Sequence, residues 1–107
     1  MTKSYEFIQK IGHLNQEIPD DSILSQTILQ NGDIRTILFS FAPGQELSEH
    51  TAAKPALLHF LAGEAIVTLG EDTHQAEANS FVYMAAHLPH SIEAKTTVSM
   101  LLILLDQ

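Results

Sequence analysis

Turn-forming residues cut this chain into short pieces, and that punctuation limits what it can fold into. Asn31-Gly32, Pro43-Gly44, Lys54-Pro55, Gly63-Glu64, Gly70-Glu71-Asp72, Asn79-Ser80, Ala85 to Pro89 and Lys95-Thr96-Thr97 follow one another along most of its length. Turn signals at roughly 8–12-residue spacing between apolar runs mark an all-β sandwich or barrel. Asn31-Gly32 predicts a hairpin with a type I′ turn, because both residues tolerate positive φ. The returning strand, Ile34 to Phe41, is apolar on both sides, so both are expected to be covered. Val98 to Leu105 is a leucine-rich run that alone could be a helix. Its eight residues are short for one, and it reads as a strand buried on both faces. Tyr5 to Ile8 reads as a short first strand, Gly12 to Ser22 as a loop, and Phe81 to Met84 as a buried strand. The total is roughly eight to ten short strands, as a closed or double-sheet β architecture requires.

Composition narrows the partners. Thirteen acids against five bases give a net charge of −8, which disfavours binding to nucleic acid or an anionic membrane. No cysteine is present, so disulfides, thiolate metal sites and cysteine nucleophiles are excluded. The chain of 107 residues, 45% hydrophobic, fits one domain. Its N-terminus lacks the apolar run of a signal peptide, and its longest apolar run is too short to cross a bilayer, so a cytoplasmic location is expected.

Two segments carry the chemistry. In Gly44 to Gly63, GQELSEHTAAKPALLHFLAG, Gly44, His50 and Gly63 fall on the spacing of the first motif of the cupin family, which this segment resembles. That motif supplies two histidines and a glutamate; here Ala52 and Ala56 stand at the second histidine and the glutamate positions. The second motif resembles NSFVYMAAHLPHSIEA, from Asn79 to Ala94. Only His90 matches by identity there, while Asn79 and His87 occupy its two glycine positions. The resemblance covers residues 25–105, with 1–24 left as an N-terminal strand and loop. It implies a small jelly-roll, or double-stranded β-helix, barrel of the cupin type. It also implies a homodimer formed through a sheet, since small cupins commonly dimerise in that way.

Carried over residue by residue, the family's metal ligands reduce to His50 and His90. Catalytic zinc sites keep three protein ligands, and a facial iron site needs two histidines and a carboxylate. Glu46 is a candidate for the missing carboxylate, since it shares a face with His50 if the strand is regular; His87 is a second candidate donor. His59 belongs on the opposite face with Leu57 and Leu61. Phe60, Tyr83 and Arg35 are candidates to line a ligand pocket, against an ordinary core role for the aromatics and an edge-strand charge for Arg35. Three functional readings follow. In the first, the barrel binds a small molecule, with or without a weakly held divalent metal (Zn, Mn, Fe or Ni). In the second it is a metal-dependent enzyme of dioxygenase or isomerase type using His50 and His90. In the third it is a non-catalytic dimeric scaffold with a filled barrel.

Overall fold

Alternation of apolar and polar residues between tight turns leaves the chain with one economical solution, two antiparallel sheets packed face to face. The structure, a computed structural model, describes residues 4–11 and 17–105. Among these residues there are nine strands and no α-helix: β1 (Ile23–Asn31), β2 (Ile34–Phe41), β3 (Glu46–His50), β4 (Ala56–Ala62), β5 (Ala65–Leu69), β6 (Asp72–Ala76), β7 (Phe81–Met84), β8 (His90–Ala94) and β9 (Val98–Leu105). One sheet has the order β1-β2-β9-β4-β7 and the other β3-β8-β5-β6. Together they form the jelly-roll barrel that the sequence implies.

The facing sides of the sheets hold the core. Phe41, Phe60, Leu58, Val67, Val98 and Met100 are fully buried and belong to one cluster. Strand β9 lies between β2 and β4 and pairs with both. Two ladders and two covered faces override the helical preference of its leucines. Residues 36, 38 and 40 of β2 and Leu101 of β9 are also buried, although they point away from that cluster. Both faces of β2 are therefore covered, as expected.

Three local expectations are corrected. Tyr5 to Ile8 forms no strand, and Tyr5 and Phe7 are exposed. The β1–β2 turn pairs Asn31 with Ile34 and is centred on Gly32-Asp33. Only Gly32 has positive φ there, the signature of a type II′ rather than a type I′ turn. Strand β7 is present but lies at a sheet edge, so Phe81 and Tyr83 are exposed instead of buried. The expected loop from Gly12 lies partly outside the described residues; from 17 to 22 it is free of strand, with Asp21 at φ 58°.

The four glycine positions of the two motifs share one backbone conformation. Gly44 and Gly63 have φ of 85° and 90°, and Asn79 and His87, which replace the other two glycines, have 76° and 70°. Asparagine tolerates the left-handed region better than most residues, whereas a histidine there carries strain of order 1–3 kcal/mol.

Candidate functional site

Antiparallel pairing of β3 with β8 sets His50 opposite His90. Their ring centroids are 4.2 Å apart, with the planes inclined at 59°. Each ring is held in the same way. His50 Nδ1 donates to the Ser48 carbonyl at 2.8 Å, and His90 Nδ1 donates to the Leu88 carbonyl at 2.8 Å. A carbonyl can only accept, so both Nδ1 atoms carry a proton, and Nε2 is the atom each ring has left for an occupant. His90 is buried and His50 is exposed.

Both rings line a cavity of about 60 Å³ together with Ala52, Ala56, Met84 and Leu102. The four positions that the resemblance aligns with metal ligands therefore meet at one place, where two carry imidazoles and two carry methyl groups. Neither candidate for a further donor completes the set. The register of β3 slips between Leu47 and His50, with three residues on β3 spanning two on β8. This bulge reverses the alternation, so Leu47 and His50 share the inner side while Glu46 lies opposite Glu93 on the outer side. Glu46 would share the face of His50 only in a regular strand. His87 is exposed, and its backbone N–H donates to the Ala52 carbonyl at 2.7 Å. Among the described residues, no group of three or more His, Asp or Glu side chains is arranged to hold a metal ion. Two imidazoles alone do not fit a tightly bound transition metal.

Phe60, Tyr83 and Arg35 do not surround one ligand. Phe60 is fully buried in the core. Tyr83 lies on the outer face of β7, opposite Leu57, and lines a separate cleft of about 420 Å³ with His74 and Phe81. Arg35 is at the histidine end of the barrel. It pairs with Leu104 of β9, which pairs in turn with Ala56. It lines an outer cavity of about 280 Å³ that shares Ala52, Lys54 and Leu104 with the inner one. Strand β2 is flanked by β1 and β9, so Arg35 is not an edge-strand charge. Sequence reasoning missed Lys54, which lines both cavities; its signal was a lone cation between the two alanine-substituted positions. His59 is on the outer face as expected, its ring 6.2 Å from that of Phe81.

Comparison with known proteins agrees with the fold. The profile of the cupin domain family matches residues 37–105. A conserved protein of unknown function from Streptococcus pyogenes is 29% identical, with a TM-score of 0.80 over 95% of this chain and 91% of that one. A cupin superfamily protein from Desulfitobacterium hafniense is 30% identical, with a TM-score of 0.80 over 85% of this chain and 84% of that one. A protein from Thermus thermophilus shares the fold at a TM-score of 0.83 and 19% identity, covering 92% of this chain and 96% of that one. No curated protein matches the sequence. Among the described residues, no helix is long and apolar enough to cross a membrane.

Proposed function

The chain belongs to the cupin domain family, and from that premise we propose that it is a binding module for a small organic molecule. The supporting observation is the histidine pair. Two imidazoles have their Nδ1 atoms committed to backbone carbonyls, and they line a cavity in which the other two family ligand positions are alanines. Alanine opens space and removes charge, which suits an organic occupant better than a metal ion. The two Nε2 atoms then hydrogen-bond the ligand, and Ala56, Met84 and Leu102 pack against its carbon skeleton.

The test is a melting screen on chelator-stripped protein, with small polar organic compounds in one arm and Zn, Mn, Fe and Ni in the other. An organic compound at a hundredfold excess over its dissociation constant should stabilise by about 2.7 kcal/mol. His90→Ala and His50→Ala should each remove that gain. Stabilisation by one metal, retained in stoichiometric amount and lost in either variant, would instead favour the metal-dependent enzyme. Indifference to every compound and ion would favour the filled scaffold.

We also infer a second copy of the chain as a partner. Phe81 and Tyr83 on the edge strand β7 are 62% and 61% exposed, beside half-buried Leu57 and His59. An exposed apolar row of this kind supports isologous pairing. Light scattering at micromolar concentration should give the dimer mass, and the Phe81→Glu/Tyr83→Glu variant the monomer mass. A monomeric wild type would sink the idea.

A further inference from the structure

Ser4-Tyr5-Glu6-Phe7 alternates polar and aromatic residues, the pattern of a strand with one apolar face. Among the described residues it pairs with no strand, and Tyr5 and Phe7 are 74% and 79% exposed. They are the two most exposed large apolar side chains described. A segment with strand patterning that holds two aromatic rings in water is a strand without its sheet.

A matching gap lies in the barrel wall. Strands β6 and β7 follow one another in the chain, yet each is the outermost strand of a different sheet. Each therefore presents one row of backbone donors and acceptors that no described strand pairs. The cleft of about 420 Å³ lies between them. Its floor is the core itself: Val67 and Ala76 belong to the buried cluster, and Leu69 and Val82 pack against it. Its rim carries Phe81 and Tyr83, and among the described residues no Asp, Glu, Lys or Arg lines it. Exposed Glu71, Asp72 and Glu77 flank β6 instead. The first ten residues are the complement of this edge, with Lys3 and Lys10 against the single acid Glu6 in a chain of net charge −8.

The segment does not fill this gap in its own chain, since Tyr5 and Phe7 are exposed. It precedes β1, which lies at the opposite edge of the sheet from β7, four strand spacings or about 19 Å away. Building on the second-copy reading above, we infer that two copies exchange these segments. Residues 4–8 of each add as a strand to the free edge of β7 in the other. Tyr5 and Phe7 enter the cleft, and Glu6 stays outside. Backbone bonds to the edge give affinity, and the cleft gives specificity for the two rings. Reciprocal exchange closes at two copies, as a two-fold interface requires.

The test has two parts. Light scattering across a dilution series should show the Tyr5→Ser/Phe7→Ser variant dissociating at a concentration at least about 100-fold above wild type, the loss expected for aromatic anchors. The chain has no cysteine, and Glu6 and Gln75 are exposed, so single cysteines there report on proximity. Glu6→Cys and Gln75→Cys chains, equilibrated together and treated with a short bis-maleimide, should yield a two-chain product in clear excess over either variant alone. If Tyr5→Ser/Phe7→Ser dimerises like wild type while Phe81→Glu/Tyr83→Glu does not, the exchange is overturned and the dimer stands. A Glu6→Cys/Gln75→Cys chain that cross-links only within itself would place the segment in its own cleft, which also overturns the exchange. A monomeric wild type would overturn both readings.

Discussion

Gly63→Ala should lower stability by at least about 3 kcal/mol, a large share of the roughly 5–15 kcal/mol that holds a typical domain together. Gly63 sits at φ +90°, and a Cβ there would overlap the Thr97 carbonyl oxygen and meet the Val98 Cα at 2.9 Å. Both neighbours are backbone atoms, so no side chain can turn aside to relieve the clash. The start of β9 would have to shift, although Val98 is fully buried. Hydrogen bonds lie beside the contact: the Glu64 N–H donates to Thr96 Oγ1 at 3.0 Å, the Lys95 and Thr96 N–H groups donate to the Glu64 carbonyl at 2.8 and 3.3 Å, and Thr96 Oγ1 donates to the Thr97 carbonyl at 3.0 Å. Gly44→Ala is the control. Gly44 has φ +85° with nothing within 4 Å of an added Cβ, so it reports backbone strain alone, on the order of 1–2 kcal/mol. Urea or thermal melts of the two variants give the comparison. At about 4–8 °C per kcal/mol for a chain of this size, Gly63→Ala should melt well over 10 °C below wild type. Equal losses in the two variants would mean that the close approach to Thr97 is absent.

The double substitution Ala52→His and Ala56→Glu should create a centre that holds zinc far more tightly than wild type does. Both alanines line the same cavity as His50 and His90, so the new imidazole and carboxylate join two nitrogens already oriented by their carbonyl partners. Ala56 is 2% exposed. Without metal, the variant buries a new polar group and should lose roughly 1–3 kcal/mol. Zinc should reverse the loss, adding about 4 kcal/mol at a thousandfold excess over its dissociation constant. Metal analysis after desalting is the direct check, with about one equivalent expected in the double variant and far less in wild type. Equal zinc retention in the two proteins would show that the four positions do not converge as described.

The architecture was largely legible from turn spacing because each β-ladder begins and ends at residues whose conformational limits are local. The same holds for β9, where eight residues between two turns outweighed leucine's helical preference. The candidate site was legible only where the resemblance to the cupin motifs aligns residues, namely at His50, His90, Ala52 and Ala56. What sequence could not give depended on pairing between strands. The bulge in β3 leaves no mark in ELSEH, yet it decides which way Glu46 faces. Tyr83 and Phe81 look like core residues until β7 proves to be an edge. Phe60 reads as a pocket wall or, more readily, as core, and the packing of the opposite sheet decides for core. Arg35 likewise needed the neighbours of β2 to exclude an edge role.

The two ends of the barrel are fastened unequally. At one end the β4–β5 and β8–β9 connections, where the chain crosses between sheets, are joined at Gly63 and Thr97 by close backbone contact and by the Glu64 hydrogen bonds. At the histidine end the β3–β4 and β7–β8 crossings are joined directly by the bond from the His87 N–H to the Ala52 carbonyl, and His87 already holds a left-handed conformation. One hydrogen bond is worth about 0.5–1.5 kcal/mol net, and part of that is offset by the strain at His87. Among the described residues the histidine end thus has fewer direct ties between its two crossings than the far end, so amide protons near Ala52 and His87 should exchange with solvent before those near Gly63.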